Sequence, residues 1–338
     1  MKNPVRRVSQ MVLKSPVSEK LRSFFVKGEF PVKPESRFVS IVVLRKSESE
    51  LILRTDEGIS KELTYMGFAD KNIKTRVVFS KRKVVAPERR TGREFLRFYG
   101  LFDVNCSING QMCGKCVDCQ LYGFAAAEKG GTSKGSLKSR VLSDTAYSIL
   151  PASEITEILT INALSELGTM TEVTEKGLEM RESLASVECV KPETHFVDVE
   201  TLRDVREEEF VYCLGNILRT TRYGAVTSRI GKVKNEIVAI IGSDAELLSS
   251  LQLTKAVWDK LDAPVKQHPL PHDKVKEALL ECVEESLKDA PATVQILKER
   301  ELEDLLKEIR EIYANPVEKG FVDALKNLKK LPIDAEAR

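Results

Sequence analysis

Apolar and polar positions in the first 80 residues alternate in short runs that are typical of β-strands. Two apolar runs between Ser36 and Arg54 flank the polar segment KSESE. A short polar link between two such runs predicts an antiparallel hairpin over residues 36–54. A further strand is predicted from Thr75 to Ser80, where the sequence reads TRVVFS.

The stretch from Glu207 to Ile241 predicts a helix, a turn and two strands. Its first part carries apolar residues at helical spacing: Phe210, Val211, Leu214, Ile217 and Leu218. Gly224 is a candidate helix stop, because glycine readily adopts the left-handed conformation that ends helices. Ala225 to Ile230 and Glu236 to Ile241 are predicted strands, joined by a turn over Gly231 to Asn235.

The remaining pattern predicts an α+β protein with four successive regions. Residues 1–80 and 141–243 are expected to supply the strands of one core, with residues 155–190 as a hairpin or arm. Residues 81–140 form a basic and cysteine-containing insertion. After Gly242 helices are predicted over Asp244–Leu261, Asp273–Lys288 and Thr293–Tyr313, which makes residues 244–338 a helical region.

Composition indicates a folded chain with an uneven distribution of charge. Of its 338 residues 42% are hydrophobic and 31% charged, and no apolar run approaches the roughly 18 residues that span a bilayer. We therefore expect a cytoplasmic protein without a membrane partner. Residues 1–140 hold 28 Lys and Arg against 14 Asp and Glu, whereas residues 141–338 hold 25 against 37. This asymmetry favours a polyanion on one side and protein contacts on the other, although a solvated surface rich in Lys and Glu also explains it.

The segment KRKVVAPERRTGREFLRFYGL mixes cations with aromatic residues. Its cations are Lys81, Arg82, Lys83, Arg89, Arg90, Arg93 and Arg97, and Phe95, Phe98 and Tyr99 lie among them. Such a mixture is typical of single-stranded nucleic-acid binding, because cations follow the phosphates and rings stack on bases. The alternative is a basic helix whose aromatic residues face the core.

Two more segments carry candidate RNA-binding residues. The glycine- and serine-rich stretch KGGTSKGSLKSR includes Lys134, Lys138 and Arg140, and either closes over RNA or is a flexible link. Around Gly224 lie Arg219, Arg222, Tyr223 and Arg229, whose guanidinium and ring groups suit a phosphodiester chain. Arg219 and Arg222 also suit the negative end of the preceding helix.

Four cysteines within fourteen residues give the sharpest chemical pattern. Cys106, Cys113, Cys116 and Cys119 lie in CSINGQMCGKCVDC, where glycines let the chain wrap around an ion. Four close thiolates favour a structural Zn²⁺ site. An iron–sulfur cluster, disulfides and free thiols are the alternatives. The other three cysteines are predicted core residues, and none of the three histidines adjoins a candidate nucleophile in the sequence.

Five segments together resemble the backbone subunits of CRISPR-Cas interference complexes, in the RAMP superfamily. They are SRFVSIVVLR, ERRTGREFLR, SRVLSDTAYS, VKPETHFVDVETL and, above all, NILRTTRYGAVTSRIGKV. The resemblance is strongest to the subunit of the type I-D complex.

That resemblance implies an RRM-like, ferredoxin-type core with large insertions and a zinc-binding insertion near nucleic acid. Several copies, with other CRISPR subunits, are expected to hold a single-stranded crRNA guide for pairing with target DNA, without catalysis. It also implies that Arg219, Arg222, Tyr223 and Arg229 line the RNA groove and that residues 155–190 act as a thumb. Two alternatives are a relative that cleaves RNA with an aspartate, for which Asp103, Asp144 and Asp198 are candidates, and an iron–sulfur redox protein.

Overall fold

The computed structural model describes most of the chain between residues 12 and 328. The described ranges are 12–27, 31, 33–55, 58–101, 105–108, 110–125, 136–162, 171–174, 177–180, 184–224, 228 and 230–328. Three residues singled out in the sequence, Asp103, Lys134 and Arg229, lie outside them. Most of the strand predicted over Ala225 to Ile230 also lies outside the described residues.

Sixteen strands and eight α-helices occur in the described residues, so the mixed α+β class is confirmed. The strands are β1 Phe38–Ser47, β2 Arg54–Thr55, β3 Gly58–Ile59, β4 Lys61–Tyr65, β5 Ile73–Phe79, β6 Phe124–Ala125, β7 Ser136–Leu137, β8 Val141–Ser143, β9 Ala146–Pro151, β10 Thr156–Asn162, β11 Thr171–Thr174, β12 Gly177–Met180, β13 Leu184–Val190, β14 His195–Arg203, β15 Val233–Ser243 and β16 Val294–Leu297. The helices are α1 Lys81–Phe98, α2 Val117–Tyr122, α3 Ala152–Ile155, α4 Glu207–Arg219, α5 Ser250–Lys260, α6 His272–Lys288, α7 Glu299–Ala314 and α8 Phe321–Lys326, with 3₁₀ helices at Pro16–Phe24 and Ala263–Val265.

One large antiparallel sheet organises the molecule. Its strands follow the order β16-β15-β1-β14-β9-β5-β4, and β8 also pairs with β14. The central strands β1 and β14 are buried along almost their whole length, because helices cover both faces of the sheet. The strands predicted over residues 75–80 and 236–241 are confirmed as parts of β5 and β15.

The hairpin predicted over residues 36–54 is wrong. β1 pairs with β14 on one side and β15 on the other, so that Val43 lies opposite both Asp198 and Ile237. Leu51 makes only an isolated bridge, to Val190. A central strand needs two partners, and here both come from far along the chain.

Two apolar cores lie on the two faces of the sheet. One contains α5 and α6, with Trp258 and Leu279 buried in it. The other contains α1, α4, α7 and α8, and there Phe95, Phe210 and Leu305 are buried. Both cores combine residues from distant parts of the chain, so these helices cover the sheet instead of standing apart from it.

Residues 244–338 contribute a strand as well as the expected helices. The helix predicted from Thr293 is corrected at its start, because Val294–Leu297 forms β16 and pairs with β15, with Leu297 opposite Ile240. The helical part, α7, begins at Glu299. Within residues 155–190 the expected hairpin is confirmed, since β10 pairs with β13 and β11 with β12.

Candidate metal centre and cationic surface

Helix α1 carries most of the basic segment and displays part of it to solvent. Phe95 and Leu96 are buried against α4, α7 and α8, whereas Phe98 at the end of the helix is 81% exposed. Arg82, Arg90 and Arg97 are exposed. They recur after eight and seven residues and so lie on neighbouring parts of the helix surface. Lys83 is half-buried.

The C-terminal end of α4 adjoins this part of α1. The hydroxyl group of Thr220 donates to that of Thr91 at 2.9 Å, beside Arg90. The Arg219 guanidinium is exposed and lies 5.2 Å from the ring centroids of both Phe95 and Tyr313. We call the group formed by Arg82, Arg90, Arg97 and Arg219 the α1–α4 cationic surface. The threonine contact joins two predicted regions, and nothing in the local sequence of either threonine indicated it.

Two other arginines of α1 point to the cysteine segment instead of to solvent. Arg89 donates to both carboxylate oxygens of Asp118, at 3.2 and 2.8 Å. Arg93 is 1% exposed, and its guanidinium lies 2.6 Å from Asp118. Burial acts to lower the pKa of Arg93, but Asp118 and Cys106 outweigh burial and raise it. Asp118 was not singled out from the sequence. Its position as an acid between Cys116 and Cys119, in an otherwise basic region, is the signal that could have found it.

The four predicted cysteines come together in a compact cluster. All four sulfur atoms lie within 4.8 Å of one another, and in the described part of the chain they form the single group of this kind among His, Cys, Asp and Glu side chains. The Sγ atoms of Cys106 and Cys119 are 3.6 Å apart, and those of Cys113 and Cys119 are 3.9 Å apart. Around one tetrahedral Zn²⁺, with bonds of about 2.3 Å, sulfurs lie about 3.8 Å apart. The cluster therefore fits a single Zn²⁺ ion.

The same sulfur–sulfur distances distinguish a site for one ion from the disulfide and iron–sulfur alternatives. A disulfide requires sulfurs about 2.05 Å apart, so these thiols are unpaired in the structure. In a [4Fe–4S] cluster each cysteine binds a different iron atom, which places the sulfurs further apart than around one ion. With four protein sulfurs around it, a single ion has no open position for substrate, as in structural sites.

Backbone N–H groups point at the sulfurs. The amide nitrogen of Cys113 lies 3.3 Å from Cys106 Sγ, that of Cys116 lies 3.3 Å from Cys113 Sγ, and that of Cys119 lies 3.4 Å from Cys116 Sγ. Hydrogen bonds from the Cys113 thiol and its neighbours lower the pKa of Cys106. Hydrogen bonding within the cluster raises the pKa of Cys116. Four thiolates this close together require a cation.

Tyr223 and Lys81 lie in a buried polar network with Glu88, Asp198 and Arg45. Tyr223 is 0% exposed and donates to Glu88 at 3.0 Å, so its ring has no face open to a base. Lys81 pairs with Asp198, a residue that Arg45 also contacts at 2.6 Å. Burial opposes ionisation of Asp198, but Lys81 and Arg45 outweigh it and keep its pKa below the ordinary value.

The other predicted RNA-binding residues have different surroundings. Arg140 pairs with Glu209 and donates to the carbonyl of Asp204 at 2.9 Å, which fixes β8 against α4. Arg222 is half-buried and donates to the carbonyl of Ile230 at 3.0 Å. Lys138 is exposed.

The aspartates considered for RNA cleavage are held by internal contacts where the structure describes them. Asp198 is fully buried between Arg45 and Lys81. Asp144 accepts a hydrogen bond from the amide nitrogen of Ser250 at 3.2 Å. In the described ranges, no helix is both long and apolar enough to cross a membrane.

Taken together, fold and site define a class: an α+β protein whose large antiparallel sheet carries a basic helix that is ion-paired to a cluster of four cysteines able to hold a metal ion. The family model described as Csc2 Crispr matches residues 24–321. The chain belongs to this Csc2 family of CRISPR proteins, which confirms the CRISPR resemblance at the level of the family.

One solved structure shows the same fold, and a second is reported with it. The crystal structure of Csc2 from Thermofilum pendens matches with a TM-score of 0.58 and 19% identity, over 94% of this chain and 99% of that one. A chain of a CRISPR RNA-guided surveillance complex matches with a TM-score of 0.42 and 11% identity, over 77% of this chain and 88% of that one. Among curated proteins none matches this chain.

Proposed function

We propose that this chain is a backbone subunit of a type I-D CRISPR interference complex and holds single-stranded guide RNA for pairing with target DNA. Membership of the Csc2 family supports a role in such a complex. The observation that carries the RNA-binding role is the α1–α4 cationic surface, where two helices in contact carry exposed arginines and one of them ends with an 81% exposed phenylalanine. Guanidinium groups bind phosphates, and an exposed ring offers a face to a base.

The sheet order supports an RRM-like core. Its central strands run β15-β1-β14-β9, with α1 between β1 and β9 in the chain and α4 between β14 and β15. That is the βαββαβ succession of a ferredoxin-like fold, into which the other elements are inserted. Helices α1 and α4 thereby lie on one face of the sheet, and the end of α4 contacts the middle of α1.

The four cysteines are the proposed ligands of a structural Zn²⁺ ion. Cys106, Cys113, Cys116 and Cys119 supply the sulfurs, and the ion provides folding free energy to a short segment with few apolar residues. Arg89 and Arg93 tie that segment to α1, so the metal centre supports the helix that carries the cations.

In the proposed binding mode the protein contacts the RNA backbone, and base pairing between guide and target provides the sequence specificity. The α1–α4 cationic surface offers point charges and guanidinium forks, which favour phosphates of any sequence. Copies of the same chain and other CRISPR subunits are the proposed protein partners. The role assigns no catalytic step to this chain.

Salt dependence and single substitutions test the proposal. If about six phosphates are neutralised, the logarithm of the affinity for single-stranded RNA should fall with a slope near −4 against the logarithm of salt concentration. Arg90→Ala or Arg219→Ala should reduce that slope by about 0.7 and weaken binding several-fold, equally for all sequences. Filter binding of uniform and mixed oligonucleotides measures both quantities.

Arg300→Ala on α7 is the matched control, because Arg300 is also an exposed helical arginine but lies more than three turns before Tyr313, the residue of α7 beside Arg219. It should leave RNA affinity unchanged. A flat salt dependence, or an effect of Arg90→Ala confined to one base, would contradict backbone binding.

A further inference from the structure

We propose that Arg93 and Asp118 are positioning residues that couple metal binding at the four cysteines to the α1–α4 cationic surface. Metal loading then increases RNA affinity, and RNA binding increases metal affinity by the same factor. The RNA half of this inference rests on the proposed function. The metal half stands on the geometry of the cysteine cluster alone.

Arg93 contacts the metal centre directly. One amino group of its guanidinium lies 3.2 Å from Cys106 Sγ and 2.8 Å from the carbonyl oxygen of Cys106. The other amino group lies 2.6 Å from Asp118. Arg93 is 1% exposed, so these contacts form out of water, where charge-assisted hydrogen bonds are strong.

Asp118 lies between two of the ligands and receives both arginines of α1. It is part of the Cys116-to-Cys119 turn and is fully buried. The Arg89 guanidinium approaches it to 2.8 Å on one side and that of Arg93 to 2.6 Å on the other. The turn that supplies two sulfurs is thus attached to two successive turns of α1.

Charge explains why the metal centre needs Arg93. Four thiolates around one divalent ion carry a net charge of about −2, and burying such a charge is unfavourable without a nearby cation. The Arg93 guanidinium donates to one of those sulfurs. Removal of a hydrogen-bonding partner of this kind typically lowers metal affinity about 10- to 100-fold.

Helix α1 transmits the effect to the cationic surface. Arg90 lies one turn before Arg93, and Arg97 lies one turn after it. Thr91 on the same turns contacts Thr220 at the end of α4. When the metal fixes the cysteine segment, Asp118 therefore fixes the part of α1 from which Arg90 and Arg97 project.

Cobalt substitution tests the metal half. The full chain is loaded with Co²⁺, whose thiolate charge-transfer band reports the cluster, and is then titrated with a competing chelator. Arg93→Met should lose the ion at a 10- to 100-fold lower chelator concentration, and Arg93→Lys should lie between Arg93→Met and the wild type. The matched control is Arg90→Met, which removes an exposed arginine one turn away and should leave metal affinity unchanged. Equal chelator sensitivity of Arg93→Met and wild type overturns the proposal.

RNA binding of the zinc-free and zinc-loaded wild-type chain tests the coupling. We expect about tenfold tighter RNA binding with zinc, within the ordinary range of coupling between two sites. Asp118→Asn keeps the four cysteines but weakens the contacts of Asp118 with Arg89 and Arg93 on α1. The increase in RNA affinity on zinc loading should therefore shrink to about twofold. Far-UV circular dichroism confirms that the variants fold. A gain in Asp118→Asn equal to that of the wild type overturns the coupling.

The two ideas fail differently. If the wild-type chain binds no RNA at any zinc level, the proposed function is wrong, while the cobalt titration still decides the role of Arg93. If zinc-free and zinc-loaded protein bind RNA equally well, the proposed function stands and the coupling is wrong.

Discussion

At the scale of single residues, charge and residue type indicate a role but not its location. Tyr223 and Lys81 have the chemistry of nucleic-acid contacts, yet both are engaged in a network with Arg45, Glu88 and Asp198. These partners come from β1, α1 and β14, which are far apart in the sequence. A single sequence pattern therefore cannot show that the polar groups meet inside the molecule.

The Tyr223 hydroxyl is the junction of this network. It donates to Glu88 at 3.0 Å, accepts from Asn235 at 2.7 Å, and lies 3.1 Å from the Arg45 guanidinium. Burial raises the pKa of Tyr223 well above its ordinary value, so the proton stays on the oxygen. Because the hydroxyl is buried, its removal costs Glu88 and Arg45 one buried hydrogen bond each.

Tyr223→Phe should therefore lower the free energy of unfolding by about 1–3 kcal/mol. Urea denaturation at neutral pH measures the change. Tyr65→Phe is the control, because Tyr65 is 48% exposed and its hydroxyl loses only contacts with water. Equal stability of Tyr223→Phe and wild type would show that the network does not depend on this hydroxyl.

At the scale of elements, local periodicity predicted whether a segment is a helix or a strand better than it predicted which strands pair. The helices α4, α5 and α6 and the strands β5, β14 and β15 follow from their apolar spacing. The hairpin over residues 36–54 was wrong because a short polar link between apolar runs does not reveal that β1 is a central strand. Likewise β16 was included in a helix, because Val294 to Leu297 alone is too short to establish a period.

Helix α5 fixes the loop between β4 and β5 by one side chain. The Asp259 carboxylate accepts the backbone N–H groups of Phe68, Ala69 and Asp70. Trp258 on the same helix donates from its indole nitrogen to Asp70 at 2.9 Å. A carboxylate that accepts several backbone N–H groups stabilises a loop that has little apolar burial of its own.

Asp259→Ala should release this loop. Hydrogen exchange at the amides of Phe68 and Ala69 should accelerate at least tenfold, while amides in β14 keep their protection. Two-dimensional NMR of the exchanging protein measures each amide. Asp262→Ala, an exposed aspartate just after the same helix, serves as control and should leave the loop unchanged. Unchanged exchange in Asp259→Ala would mean that the loop is held by other contacts.

At the scale of the whole molecule, the metal centre and the sheet differ in how far they depend on long-range contacts. The four cysteines lie within fourteen residues, so spacing alone predicted that their sulfur atoms come together. The sheet joins β1 to β14 and β15 across more than a hundred residues, and no local pattern specifies those partners. The cysteine cluster has a small apolar core of its own, with Met112 and Phe124, whereas helix α2 places Val117 and Leu121 in the core of the sheet that contains α1 and α4.

This arrangement predicts a local response to metal removal. We expect the part of the cysteine segment before α2 to depend on the proposed Zn²⁺ ion, whereas β1 and β14 are buried between two large cores that hold no cysteine of the cluster. After a strong chelator removes the metal, amides of residues 105–108 and 110–116 should exchange at least a hundredfold faster, and β1 and β14 should remain protected. Hydrogen-exchange mass spectrometry resolves these regions, and re-addition of zinc should restore protection. Global unfolding after chelation would instead show that the sheet depends on the metal. Loss of the ion pairs between α1 and Asp118 would then destabilise the core that contains α1.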